Sequence, residues 1–395
     1  MNLVECLENN DMILPDYKKC SIIDAVRTIY NYCGYRYNSE NTNKEITQYI
    51  KNKKHILLIL SDGMGSNLID SLSDNMLLKK NKVTDLLTVF PTTTGCVLSS
   101  VATAEYPSIH GMIGWYNHNR DKNIDYYTLL FQERYSGKNL EELGIKEKDI
   151  YVCESVMNKL KRKTIALFPE TIVNSNFSKF ILNKNRFAYN SIEEAFNKAA
   201  DNIQKNKDME TFTYLYLPYV DSESHYNGVY SKNVNKVINE IEKELNRLIS
   251  QKIQDLEVII IADHGQIDVT GQDITMDFEK YKQYFYALPG IDFGTSTYYV
   301  KNDKREEFLQ EFKKDYEDKM YIFETNEFIK YNIFGKNTVS QYMKSNLGEY
   351  ISFCKKGSYF INTINNVEKY IGKIKGSHSG FSKEELTIPL IVINT

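Results

Sequence analysis

The sequence predicts an α/β sandwich built on a mainly parallel sheet, and three observations carry that expectation. Continuous apolar runs of strand length recur along the 395 residues, and each gives way to polar residues. Amphipathic helical stretches lie between them. Residue types able to ligate metals cluster directly after the runs.

Taken in order, residues 1–50 read as a helical lead-in, with IIDAVRTIYNYC (22–33) at helical spacing. HILLILS (55–61) is the first apolar run and ends in Asp-Gly; TFTYLYLPYV (211–220), LEVIIIA (256–262) and IPLIVIN (388–394) follow. Their Ile, Val, Tyr and Thr enrichment marks strands buried on both faces. SIEEAFNKAADNIQ (191–204), NVNKVINEIEKELNRLISQ (233–251) and KREEFLQEFKKDYEDK (304–319) read as helices. Strands alternating with helices argue for a layered α/β fold. The expected organisation is a core formed by 51–280 and 376–395, with pocket-forming insertions in 112–210. Residues 281–375, with STYYV (296–300) and YIF (321–323) around the charged helix, are expected to form a small α+β insertion.

Composition excludes several classes. With 42% hydrophobic and 26% charged residues, disorder, collagen and coiled coil do not describe the whole chain. A net charge of −3, from 49 basic and 52 acidic residues, does not favour binding nucleic acid through phosphate charge. The apolar runs fall short of the roughly 20 residues that span a bilayer, so no membrane partner is expected. The start, MNLVECLENNDMILPDYKKC, lacks the apolar core of a signal peptide, and the six cysteines are scattered without a CxxC pair. Reduced thiols and a cytoplasmic location are expected. Oligomeric state has no signature in the sequence.

Four short segments place metal-type ligands where strands should end: SDGMG (61–65), DSESH (221–225), ADHG (262–265) and GSHSG (376–380). Ligands of parallel α/β sheets bind outside the carboxyl ends of the strands. Asp62, Asp221, His225, Asp263, His264 and His378 supply three carboxylates and three imidazoles, and these are half of the chain's six histidines. Each segment alone has an ordinary reading: Asp62-Gly63 as a turn, Asp263-His264 as a cap, Asp221 and His225 as a surface pair, His378 as a loop residue. All four together, three directly after strong strand runs, favour a site. A mixed O/N set suits zinc best, with manganese or iron as alternatives. Six ligands suffice for two divalent ions that clamp a phosphoryl group.

The fifth segment is FPTTTGCVLSSVATAEYPSIHG (90–111). Thr92, Thr93 and Thr94 precede a small-residue helical stretch. A hydroxyl at a helix N-terminus can cap the helix, or it can face a bound phosphate. A threonine there is also a candidate nucleophile.

In this order the segments resemble the alkaline phosphatase superfamily, and within it the type I phosphodiesterase/nucleotide pyrophosphatase family. The resemblance rests on Ser61-Asp62-Gly63, Pro91 to Thr94, Tyr106 to Gly111, Asp221-x3-His225, Asp263-His264-Gly265, Gly376-Ser377-His378 and the tail HSGFSKEELTIPLIV (378–392), over roughly residues 54–394. It implies an alkaline-phosphatase-like three-layer αβα sandwich. It implies one zinc among Asp62, Thr94, Asp263 and His264, and a second held by Asp221, His225 and His378. Thr94 becomes the nucleophile through a phosphothreonine, selected over Thr92 and Thr93 by family spacing alone, with the Gly95 amide as an oxyanion donor.

The sequence departs from the well-studied nucleotide pyrophosphatases at two places. Gly95-Cys96-Val97 stands where they carry Phe-Pro-Asn, and Trp115 stands where they carry a phosphoryl-contacting Asn, with Asn117 two residues on. Asn117 is therefore a substitute contact only with a local shift. The implied function is two-metal hydrolysis of phosphodiesters or phosphoanhydrides on a small-molecule substrate, with a nucleotide as one option. A phosphomonoesterase or a phosphonoacetate hydrolase-like enzyme is the alternative. A non-catalytic binding module on this fold is expected to have lost a ligand or the hydroxyl, and neither is lost. Trp115, Tyr116, Phe168, Tyr219 and Tyr226 are candidates to stack a base, against ordinary packing in a chain with 13% aromatics.

Overall fold

The apolar runs form the centre of the molecule. In the computed structural model, which describes residues 2–37, 43–270, 274–336, 338–355, 357–361 and 370–395, His55–Ser61, Thr211–Leu217 and Leu256–Ile261 are buried at every position. A strand covered on both faces leaves no side for water, so its sequence does not alternate.

Among the described residues, the central sheet has seven strands. From one edge they run Lys82–Leu87, Thr387–Asn394, Leu256–Ile261, His55–Ser61, Thr211–Leu217, Lys163–Pro169 and Arg186–Tyr189. The last five are mutually parallel; Thr387–Asn394 runs antiparallel to them, and Lys82–Leu87 at the edge pairs antiparallel with Thr387–Asn394 and so runs in the direction of the five. His55 sits opposite both Thr211 and Leu256, which brings the carboxyl ends of the three central strands level. Neighbouring residues on one strand show the layers. Phe212 meets Tyr30 of helix Ile22–Tyr32 with ring centroids 5.9 Å apart, and the Tyr30 hydroxyl ties that helix to Val101 O of helix Thr94–Thr103. Thr213, facing the other way, accepts a 3.2 Å hydrogen bond from Asn202 of helix Ile192–Lys205, which packs on Lys232–Ser250. Since side chains alternate along a strand, the two helix groups cover opposite faces in an αβα sandwich.

A second, antiparallel sheet lies beside the first. Its order is Met320–Glu324, Tyr350–Cys354, Thr295–Tyr298, Gly290–Ile291, Tyr116–Asn119, Ile124–Tyr127, Gln132–Glu133. The segment 281–375 therefore does not fold apart from 112–210, because Ile291 pairs with Tyr116 and joins the two regions in one sheet. Gly114 permits this junction: a Cβ there would lie 2.5 Å from Ile291 Cα. All six cysteines are free thiols. Among the described residues, no helix is long and apolar enough to cross a membrane.

Candidate active site

Five of the six ligand-type residues leave the carboxyl ends of the three central strands. Asp62 follows Ser61 directly, Asp263 and His264 follow Leu256–Ile261, and Asp221 and His225 sit on helix Tyr219–Asn227 just beyond Thr211–Leu217. The backbone links them. Asp62 N donates to Leu217 O at 2.9 Å, and Asp221 N donates to Asp62 O at 3.0 Å. Gly63 turns the chain at φ +71°, its N–H donates to Asp263 Oδ1 at 3.0 Å, and a Cβ there would lie 2.8 Å from Asp221 Cα. The sixth, His378, arrives after Gly376–Ser377, a short strand paired with Ile267–Asp268.

Two clusters result, Asp62–Asp263–His264 and Asp221–His225–His378. His264 Nε2 lies 3.6 Å from Asp62 Oδ1 and 3.4 Å from Asp263 Oδ2. Asp221 Oδ1 lies 3.4 Å from His225 Nε2 and 3.7 Å from His378 Nε2. Donor atoms bound at about 2 Å to one tetrahedral ion stand about 3.3 Å apart, so these separations suit shared ions. The His264 and His378 rings stack at 3.9 Å and bring the clusters side by side.

The surroundings fit cations. Each imidazole donates its Nδ1 proton to a carbonyl: His225 to Gly376 at 2.9 Å, His264 to Gly265 at 3.1 Å and His378 to Thr92 at 2.7 Å. A carbonyl can only accept, so this fixes the tautomer that leaves every Nε2 lone pair free for a metal. Asp62 Oδ1 and Asp263 Oδ2 are buried without a hydrogen-bond partner, a costly state for carboxylate oxygens unless a cation meets them. Burial, then the charges of Asp263 and Asp221, push the Asp62 carboxyl well above its ordinary range. Without a cation, burial draws the His225 imidazole down, but the Asp221 carboxylate outweighs it and raises the ring to about 9, so a cation at this cluster would have to displace the Nε2 proton. Outer partners also hold the carboxylates: Tyr216 Oη donates to Asp62 Oδ2 at 2.5 Å, and Gln266 Nε2 donates to Asp221 Oδ1.

The three threonines do three different things. Thr92 Oγ1 accepts from Ser379 N at 3.0 Å and donates to Gly380 O at 3.2 Å, bracing the His378 loop. Thr93 is the N-cap of helix Thr94–Thr103 and accepts from Cys96 N. Thr94, first in that helix, places Oγ1 3.5 Å from Asp62 Oδ2 and 3.4 Å from His264 Nε2. The following turn is held by His110, which accepts from Met112 N at 3.1 Å through Nδ1 and meets Ser100 Oγ at 2.8 Å through Nε2. Burial draws His110 down to about 3, so it serves as a neutral brace.

Thr94, Gly95, Asp221, His225 and His378 line a cavity of about 310 Å3. A larger groove of about 860 Å3, around Arg162 and Lys184, shares no residue with either cluster, so chemistry rather than size marks the site. Of the five aromatic candidates, Trp115, Tyr116 and Tyr226 line the cavity. Phe168 packs in the core against Tyr214 and Tyr216, and Tyr219 lies against Tyr189. Asn117 is not on the cavity wall: it is buried, and its amide donates to Gly114 O at 2.9 Å and to Thr128. Sequence reasoning did not single out Asp292, Phe293, Tyr370 and Ile374, which complete the wall. They come from 281–375, where no motif marks them.

Comparison with known proteins agrees with this geometry. Residues 56–380 match the family model of type I phosphodiesterase / nucleotide pyrophosphatase. Among solved structures, murine ectonucleotide pyrophosphatase / phosphodiesterase 5 superposes with a TM-score of 0.62 at 15% identity, covering 85% of this chain and 87% of that one. An inactive threonine-to-alanine variant of the murine protein was solved with AMP, at 0.62 and 14% over the same shares. Phosphonoacetate hydrolase from Sinorhizobium meliloti 1021, in complex with phosphonoformate, gives 0.60 at 12%, covering 85% of this chain and 89% of that one. No curated protein matches by sequence. With the family model spanning most of its length and both ligand clusters assembled at the strand ends, the chain belongs to the type I phosphodiesterase / nucleotide pyrophosphatase family and is a phosphoester hydrolase.

Proposed function

We propose that the protein hydrolyses small-molecule phosphodiesters with the help of two divalent cations, through a phosphoryl group carried transiently on Thr94. One observation carries the choice of nucleophile: of the three adjacent threonines, only Thr94 has its hydroxyl at the carboxylate and imidazole set. Asp62, Asp263 and His264 would hold one cation, and Asp221, His225 and His378 the other. Zinc suits this nitrogen and oxygen set, and manganese or iron are alternatives. When bound, such ions offset phosphoryl charge and lower the pKa of adjacent hydroxyl oxygens.

The protein's own groups account for the rest. Thr94 Oγ1 loses its proton toward solvent and attacks phosphorus. An Oγ–P bond forms as the bond to the leaving oxygen breaks, and the departing alkoxide takes a proton from water. A water molecule then attacks phosphorus, the Oγ–P bond breaks, and Thr94 regains its proton. The Gly95 amide, in the first turn of helix Thr94–Thr103, is a donor for the phosphoryl oxygens at the positive end of the helix dipole. The AMP complex of the murine relative and the inactivity of its threonine variant support this reading. The six free thiols support a reducing, cytosolic setting.

The test compares bis-p-nitrophenyl phosphate with p-nitrophenyl phosphate on zinc- or manganese-loaded protein. Diester turnover should exceed monoester turnover. Thr94→Ala should lower it by about a thousandfold or more. An acid quench during turnover should leave phosphate on the Thr94 peptide of the wild type. Full diester turnover by the Thr94→Ala variant would remove the assignment.

A further inference from the structure

The groove of about 860 Å3 that shares no residue with either ligand cluster has a chemistry of its own. It lies toward the other end of the central sheet. Lys163 and Thr164, in its lining, open strand Lys163–Pro169, whereas the clusters stand beyond the carboxyl ends of the neighbouring strands. A volume of that size accommodates a small molecule.

Charge sets the groove apart. Lys148, Lys159, Arg162, Lys163, Lys179 and Lys184 line it, against the two carboxylates of Glu147 and Glu154. Glu154 is taken up by Lys159 at 2.5 Å, and Glu147 accepts from the Asn176 amide at 2.9 Å. Lys163 Nζ donates to the uncharged Asn206 side chain at 2.7 Å. Lys148, Lys179 and Lys184 form no ion pair among the described residues. The whole chain has a net charge of −3, so this cationic excess is local to the groove.

Arg162 separates the groove from a scatter of surface lysines. Its side chain is 1% exposed. Its guanidinium donates to Lys53 O at 2.6 Å, to Lys54 O at 3.2 Å and to Asn52 Oδ1 at 2.6 Å, all uncharged acceptors. Its Nε is buried without a hydrogen-bond partner. The carboxylate of Glu210, 3.7 Å away, is 65% exposed and screened by water. A buried cation held this way is costly unless an anion approaches it. The two segments that form the groove are also tied to each other. Ser155 Oγ donates to Ile181 O at 2.6 Å, and Asn183 N donates to Asn158 Oδ1 at 2.8 Å. The cations on 148–163 and those on 179–184 therefore face the groove at a fixed spacing, an arrangement that lowers the cost of binding.

The distribution of charge narrows the ligand. One phosphate or carboxylate fills only a small part of so large a groove. A short chain of phosphates presents negative oxygens at successive positions, which suits cations spread over two segments. A long polyanion would run past the groove onto a surface that carries the chain's excess of acid. We infer that the groove binds a short polyphosphate chain, that of inorganic polyphosphate or of a nucleoside triphosphate, away from the catalytic centre. The inference does not depend on the reaction proposed above.

Cys153 makes the test direct. It lines the groove and is half-buried, while the other five cysteines are buried. Inorganic tripolyphosphate at saturation should slow iodoacetamide alkylation of Cys153 by about tenfold or more, read by mass spectrometry of its peptide. Lys179→Gln/Lys184→Gln alters two exposed side chains and should raise the concentration for half-protection by about tenfold or more. Calorimetry should show the same weakening of tripolyphosphate binding. Thr94→Ala should leave the protection intact, since the active site lies elsewhere. ATP run in parallel separates the two sources: half-protection at the same concentration as tripolyphosphate assigns the phosphate chain alone, and tighter protection assigns the nucleoside triphosphate. Absence of protection and of binding heat with both ligands overturns the inference. So does undiminished affinity in the double variant, or equal protection by a glutamate peptide of matched charge.

Discussion

Replacing Tyr216 with Phe removes one atom from the site and isolates its effect. Tyr216 lies on Thr211–Leu217, 6% exposed, with its ring against Phe168 at 6.3 Å. A phenylalanine keeps that packing. The hydroxyl is a firm donor, because burial and the neighbouring Asp62 charge hold its proton affinity well above the ordinary tyrosine range. It donates to Asp62 Oδ2 at 2.5 Å in a dry setting. A hydrogen bond to a charged group contributes about 1.5–3 kcal/mol, and its loss leaves that carboxylate oxygen under-solvated. Partners that orient metal ligands typically matter by about 10–100-fold, which corresponds to about 1.4–2.8 kcal/mol, so the two estimates agree. Tyr216→Phe should therefore weaken zinc retention at the Asp62 cluster by about 10–100-fold in competition with a chelator. It should lower diester kcat/KM at limiting metal, with an unchanged circular dichroism spectrum. Metal affinity and turnover both within twofold of wild type would refute the claim that this hydroxyl sets the Asp62 carboxylate.

Other expectations follow from the same geometry. His378→Ala should reduce bound metal from two equivalents to about one by elemental analysis, because His378 belongs to only one of the two clusters. Gly63→Ala should lower both melting temperature and metal content: its φ is +71° and its new Cβ would press on Asp221, a combined strain of about 1–3 kcal/mol. Glu257 tests the fold away from the site. Burial, against the opposing hydrogen bond from Lys51 N, pushes its carboxyl up to about 7 from an ordinary 4.5. The folded chain keeps a proton that the unfolded chain releases. This contribution to stability is fully present below about pH 4.5 and is lost as pH rises through about 7. Glu257→Gln, which keeps the acceptor for Lys51 N, should raise the melting temperature by a few degrees at pH 8 and change it little at pH 5. Equal effects at both pH values would show that charge burial is not the cause.

The sequence revealed the parts of this molecule that obey strong local rules. Strands covered on both faces read as unbroken apolar runs, so His55–Ser61, Thr211–Leu217 and Leu256–Ile261 were legible, and with them the ligand-type residues at their ends. Lys82–Leu87 was not, because an edge strand with half-exposed lysine and aspartate carries no such run. Lys163–Pro169 begins with an exposed lysine and is broken in pattern by a closing proline, and Arg186–Tyr189 is an edge strand of four residues. The second sheet escaped for a different reason. Its pairing of Tyr116 with Ile291 joins residues 175 positions apart, and no local pattern records such a contact. Asp292 and Phe293 reach the cavity only through that pairing. The three threonines show the limit most clearly. Their identical side chains acquire distinct tasks from backbone direction, which emerges only when the loop meets Ser379, Gly380 and the helix.

That meeting makes Thr92 more than a spacer. Its hydroxyl satisfies Ser379 N and Gly380 O, and its carbonyl takes the Nδ1 proton of His378. Ser379 itself has φ +91°, an unfavourable conformation for a residue with a Cβ, and Thr295 Oγ1 holds its carbonyl at 2.6 Å from the other side. The threonine loop and the His378 loop therefore share one hydrogen-bonded seam. Thr92→Val keeps the shape and removes only the hydroxyl, leaving a buried N–H and C=O without that partner at a cost of about 1–3 kcal/mol. The carbonyl bond to His378 survives, but the loop carrying it loses its brace. Metal held by Asp221, His225 and His378 should weaken more than metal held by Asp62, Asp263 and His264, since Thr92 touches only the former. Chelator titrations that resolve the two equivalents measure this difference. An equal loss at both clusters would instead mean that the threonine loop responds as one body and that Thr94 is displaced along with Thr92.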